Sequence, residues 1–158
     1  MSERGAQRDT DEALHLFRVF SKAFKSVSDH AAAGCKKQGY NPTDFAVLEM
    51  LYHKGPQPIQ QIGAKLLLQS GNVTYVIDKL VRNGLVQRHP CSKDRRVIFA
   101  ELTEQGRTQM QSILPKQAQT LRRALSGLTL EEKAQAILLL KKLGIQAEKL
   151  SLVTKKEG

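Results

Sequence analysis

Along the chain, apolar positions recur first at Ala13, Leu14, Phe17, Phe20, Phe24 and Val27, the three-to-four spacing of one helical face, which predicts a helix over about 11–37. Gly39-Tyr40-Asn41-Pro42 breaks that period. Asn41 is a good cap and Pro42 suits a first helical position, so a second helix is predicted over about 42–53, with Phe45, Val47, Leu48 and Leu51 facing the core. Lys54-Gly55-Pro56 closes it. A third, shorter helix over about 58–67 places Ile59, Ile62, Gly63 and Leu66 together, and Gln69-Ser70-Gly71 then reads as a tight turn. The fourth helix, about 71–83, buries Val73, Val76, Ile77 and Leu80 at i, i+3, i+4 and i+7. Tyr75, Asp78 and Arg82 point away from that stripe, Thr74 and Lys79 lie at its outward sides, and Asn72 flanks it near the start.

After Asn83-Gly84 the period changes to alternation. Leu85–His89 and Val97–Leu102 are predicted strands, joined by the polar loop Pro90-Cys91-Ser92-Lys93-Asp94-Arg95 into a hairpin with a charged tip. From Thr103 the pattern is helical again through Met110, Ile113, Leu114, Ala118, Leu121 and Leu125, with a kink expected at Pro115. A last helix opens on the capping box formed by Thr129 and Glu132 and runs to about Leu150, before a tail, 154–158, expected to fray. The fold class is therefore mainly α with a small β-hairpin. Two short helices, the second with a polar outward face, followed by a basic hairpin read as a winged helix-turn-helix.

Charge sharpens this reading. The 158 residues carry 25 Lys and Arg against 15 Asp and Glu, a formal net charge of +10, which favours polyanionic partners. From Lys79 to Arg96 there are six basic residues, Lys79, Arg82, Arg88, Lys93, Arg95 and Arg96, and one acidic, Asp94. A helix there suits the major groove, and the hairpin tip suits phosphates or the minor groove. The DNA-contact candidates are Ser70, Asn72, Thr74, Tyr75, Lys79 and Arg82 on the helix, and Lys93, Asp94, Arg95 and Arg96 on the wing. Asn72 has two readings, an adenine-pairing side chain or the helix cap.

Other chemistry is thin. There is no Gly-rich phosphate loop, nucleophile elbow or paired carboxylate pattern, so no enzyme is expected and no cofactor is implied. His15, His30, His53 and His89 lack ligand spacing with one another or with the cysteines, so no metal site is assigned. Apolar runs such as Ile137–Leu140 are far short of the roughly 20 residues of a membrane span, and the first residues lack a secretory signal, so a cytoplasmic protein is expected. Cys35 and Cys91 are far apart in sequence, which argues against a structural disulfide. Each is either a packed small residue or a reactive thiol. Cys91 has Arg88, Lys93 and Arg95 nearby to favour its thiolate.

The run Leu80-Val81-Arg82-Asn83-Gly84-Leu85-Val86-Gln87-Arg88, then Asp94-Arg95-Arg96 and Leu102-Thr103-Glu104-Gln105-Gly106, resembles a MarR-family transcriptional regulator. The family's wing pattern, Asp-x-Arg followed by Leu-Thr, is met by Asp94, Arg96, Leu102 and Thr103, and the order of elements agrees over about 11–150. The resemblance implies a homodimer held by long N- and C-terminal helices, with an N-terminal arm and dimerisation helix over 1–37, a DNA-binding domain over 38–103 and C-terminal dimerisation helices over 104–158. It implies double-stranded operator DNA as partner, most simply bound by a repressor, with Asp94 bracing a wing arginine. It also implies release by a small-molecule inducer, aromatic or electrophilic, or by thiol modification. Phe17, His30, Tyr40 and Phe45 are near the helices expected to line such a pocket, with ordinary packing as the competing reading for each. From a different class, a sequence-indifferent basic nucleic-acid-binding protein fits the charge equally well.

Overall fold

A computed structural model describes residues 3–66, 68 and 70–154. In chain order the elements are α1 (Glu3–Lys37), α2 (Pro42–Lys54), β1 (Gln57–Pro58), α3 (Ile59–Lys65), α4 (Ser70–Arg82), β2 (Val86–Pro90), β3 (Ile98–Leu102), α5 (Glu104–Ala124) and α6 (Leu130–Thr154). The described residues divide between two compact units, one running up to Arg122 and the other from Arg123.

Helix α1 starts about two turns earlier than the apolar period suggests. Those turns are polar and solvated, so they carry no apolar stripe, and they are held by local bonds such as Gln7 Nε2 to Asp11 Oδ1 at 3.0 Å. Gly39, at φ 85°, turns the chain out of α1, and Tyr40 N–H bonds back to Cys35 O at 3.0 Å. Asn41 then caps α2, its Oδ1 accepting from Thr43 N–H at 2.8 Å, with Pro42 at the first helical position. The second helix ends at Gly55, whose N–H bonds Leu51 O at 3.0 Å.

Helix α3 is shorter than expected because Pro58 is spent on β1, a two-residue strand that no alternation signals. At the other end, the expected last residue Leu67 and the turn residue Gln69 lie outside the described residues, as does 155–158 of the tail. Strand β1 pairs antiparallel with β3, Gln57 opposite Ala100 and Pro58 opposite Phe99. Strand β2 flanks the other side of β3, from Val86 opposite Leu102 to Pro90 opposite Ile98. Alternation sends Val86, Ala100 and Leu102 into the core. On the opposite face the His89 and Phe99 rings stack at 5.6 Å, and Gln87 Nε2 donates to Glu101 Oε1 at 2.7 Å.

Buried Val73, Val76, Ile77 and Leu80 of α4 join Phe45, Val47, Leu48, Leu51, Ile62, Leu85, Met110 and Ile113 in one core. Helices α3 and α4 approach so closely that a Cβ on Gly63 would lie 2.5 Å from Val73 Cγ2. Thr103 seats α5 by accepting from Gly106 N–H at 3.0 Å while its hydroxyl donates to Gly84 O at 2.6 Å. Helix α5 continues through Pro115. In the second unit, Thr129 and Glu132 form the expected capping box, with bonds of 2.8 and 3.2 Å. Both long terminal helices expose large apolar side chains, Leu14, Phe17, Phe20 and Phe24 on α1 and Ile137, Leu138, Leu139 and Leu143 on α6.

Candidate nucleic-acid interface

Burial of one face of α4 fixes what the other presents. Asn72, Thr74, Tyr75 and Arg82 are exposed, Tyr75 at 62%. Because α4 begins at Ser70, a residue before its predicted start and three before the first residue of its apolar stripe, Asn72 is the third residue of the helix and not its cap. Ser70 opens the helix with its backbone, and its side chain lies outside the described residues.

Lys79 is not a free cation. Its Nζ lies 2.7 Å from Oδ2 of Asp44 in the first turn of α2 and 5.6 Å from the centre of the Tyr75 ring. Asp78, beside it on α4, pairs with Arg88 Nη2 on β2 and ties the helix to the wing. At the wing tip, Val97 N–H bonds Asp94 O at 3.0 Å, and Asp94 Oδ1 accepts from Arg96 N–H at 3.0 Å. Arg96 Nε and Nη2 also donate to the same carboxylate, at 3.1 and 3.2 Å. The Arg96 side chain, then its backbone N–H, hold the Asp94 carboxyl below its ordinary value. So three of the six basic residues of the stretch are matched by carboxylates, while exposed Arg82, Lys93 and Arg95 have no such partner among the described residues.

Arg96 and Thr74 also face a cleft of about 490 Å³, whose walls are Ile59, Gln60, Gly63, Ala64, Leu68, Val73 and Ile98. A second, open cavity of about 380 Å³ lies where α1, α2 and α5 meet, lined by Ser28, Ala31, Ala32, Cys35, Pro42, Phe45, Glu49, Gln117 and Leu121. Of the four aromatic and histidine candidates, Phe45 lines it. Tyr40 packs against the core with its hydroxyl donating to Gln109 Oε1, whereas Phe17 is 69% exposed and His30 is exposed. Gln117, 6% exposed, donates to Ala31 O at 3.0 Å while its Oε1 has no partner. Its position on the stripe Met110, Ile113, Leu114, Leu121 was the available signal for it. Cys35 is buried, and burial, reinforced by the charge of Glu49, pushes its thiol above the ordinary value, which disfavours the thiolate. Cys91 is partly exposed at the base of the wing, its N–H bonding Val97 O at 2.8 Å.

The MarR family model matches residues 40–98, from just before α2 into β3. The chain is 51% identical to the HTH-type transcriptional regulator YkoM of Bacillus subtilis over 91% of this chain and 94% of that protein. It is 46% identical to the HTH-type transcriptional regulator MhqR of the same organism, over 88% and 96%. The chain belongs to the MarR family. A solved relative in fold is a cysteine-to-serine mutant of E. coli MarR complexed with operator DNA, with a TM-score of 0.73 at 23% identity over 84% of this chain and 96% of that one. As a MarR-family transcriptional regulator the chain is a DNA-binding, winged helix-turn-helix protein, and none of its described helices is long and apolar enough to cross a membrane.

Proposed function

We propose that this MarR-family protein is a homodimeric, cytoplasmic repressor that reads operator DNA with α4 and the wing and lets go when a small molecule binds. The observation that carries the reading is the pairing of an exposed Tyr75 face on α4 with a wing whose tip is braced by Asp94 and whose Lys93 and Arg95 are left unneutralised. Tyr75, Thr74 and Asn72 reach base edges, and Arg82, Lys93, Arg95 and Arg96 take phosphates or the minor groove. Residues 38–103 are the DNA-binding domain. The segments 1–37 and 104–158 form the dimer, supported by the apolar side chains that α1 and α6 leave in water.

The inducer enters the cavity between α1, α2 and α5, where Phe45 offers an apolar wall and Gln117 Oε1 an unused acceptor. If a thiol takes part, the exposure at the wing base favours Cys91 over buried Cys35. The test is fluorescence anisotropy of the purified protein against duplexes from its own upstream region and scrambled controls, with competitor DNA at near-physiological salt. A strong preference for one duplex, abolished by an added inducer, is expected. Equal, steeply salt-dependent binding to every duplex would mean either that the operator lies elsewhere or that the sequence-indifferent binder is the better reading.

A further inference from the structure

The pair Asp44–Lys79 is out of keeping with a simple basic DNA-binding face. Asp44 is 8% exposed, and while its Oδ2 holds Lys79 at 2.7 Å, its Oδ1 is buried without a partner. A buried, half-satisfied carboxylate is a poor source of stability; its best attested use is to fix one group relative to another. Asp44 is well placed for that. It sits in the first turn of α2, locked by the Asn41 cap before it and by buried Phe45, Val47 and Leu48 after it. Lys79 lies one helical turn beyond Tyr75 on α4, so its ammonium, drawn inward to Asp44, also rests 5.6 Å from the ring of the exposed aromatic.

We infer that Asp44 and Lys79 are positioning residues for sequence reading: the ion pair withholds the Lys79 ammonium from the DNA phosphates and uses it to fix the Tyr75 ring on the reading face of α4. This rests on the DNA-reading role proposed for α4. Lys79 then contributes to specificity and adds nothing to the counterion release that drives general affinity. Asp44 is its anchor on the neighbouring helix, touching no DNA itself.

The two roles separate in salt dependence. Binding of the full-length protein to its operator duplex and to a scrambled duplex is measured across a salt series for wild type, Lys79→Gln, Lys79→Arg and Asp44→Asn, with folding checked by circular dichroism. Lys79→Gln is expected to leave the slope on the scrambled duplex unchanged and to cut operator preference about tenfold. Lys79→Arg, which keeps a cation for Asp44, restores much of that preference. Asp44→Asn frees the ammonium, so the slope steepens by about 0.9 for each chain engaged while preference falls. A flatter slope for Lys79→Gln, by about 0.9 per chain, overturns the inference by making Lys79 a phosphate contact. An unchanged operator preference in Lys79→Gln overturns it too, and Lys79→Gln decides alone if Asp44→Asn does not fold. A wild-type chain that prefers no duplex is a separate result, and it removes the DNA-reading role before any variant is compared.

Discussion

Gly106, in the first turn of α5, lies so close to the carbonyl of Leu85 that a Cβ there would overlap the oxygen, and it would also lie 3.3 Å from Leu102 Cδ2. The same carbonyl accepts from Thr103 N–H at 3.0 Å, so backbone blocks the space and no flexible side chain can swing clear. Gly106→Ala is expected to destabilise the fold by about 1–3 kcal/mol, although alanine is the better helix former. Urea denaturation measures it; a stability equal to or above wild type would show that α5 shifts freely on the sheet.

At the wing, the Arg96 guanidinium and N–H hold the Asp94 carboxyl low. A carboxyl depressed in the folded state gives its bracing above the unfolded value and loses it only as pH falls through the folded one. Carboxyl NMR of Asp94 is therefore expected to titrate below the ordinary aspartate value, and Arg96→Ala, which keeps the backbone N–H at that position, to move it only part of the way back. A wild-type midpoint at the ordinary value would mean that the wing tip is unbraced in solution.

For Cys35 the sign is reversed. Burial raises the Cys35 thiol, so folding is unaffected below the ordinary thiol value and is weakened as pH rises beyond it, when the unfolded chain ionises first. At neutral pH an alkylating agent should label Cys91 well before Cys35, with Cys35 following only as the chain opens. Peptide mass spectrometry over time distinguishes the two, and equal rates would contradict the packing around Cys35.

Neutralisation by carboxylates sets an order among the wing cations. Arg95→Ala should flatten the dependence of log affinity on log salt by about 0.9 per chain engaged, because that side chain has no acidic partner among the described residues to release. Arg88→Ala should flatten it less, since Asp78 already offsets that charge. Reversed magnitudes in a salt titration on one duplex would mean that DNA displaces Asp78 from Arg88.

On α1, Phe17 and Phe24 are 69% and 66% exposed. Placing a charge at either, as in Phe24→Glu, should leave the helical content of the chain intact and shift sedimentation from dimer to monomer. If the wild type itself sediments as a monomer, the apolar face of α1 serves something other than self-association.

What was legible in the sequence was whatever repeats locally. The Val73, Val76, Ile77 and Leu80 stripe gave α4, and the Asn41 and Thr129 caps gave helix starts, because each signal lies within a few residues. The Asp94 brace was implied by family resemblance, and its bonds span two residues. Strand β1 escaped because two residues, one of them Pro58, cannot show alternation. Asp44 escaped for another reason: an acid in a first helical turn reads as an ordinary dipole partner, and its tie to Lys79 joins positions far apart in sequence. Phe17 and His30 lie on α1, which also lines the cavity, but which side of α1 meets it is decided by α2 and α5.

That short strand β1 has a mechanical meaning. It leads directly into α3 and is hydrogen-bonded to β3, while Asp78 and Arg88 tie α4 to β2, so the wing and both helices of the reading head are fastened at two points. A head fastened in this way is a stiff jaw. In the proposed dimer two such jaws must span half-sites about one helical turn of DNA, roughly 34 Å, apart. If the proposed inducer releases such a dimer, it would need no change in how either jaw is shaped; like the screw of a caliper, it would have only to alter the gap until the two jaws no longer fit the same duplex together.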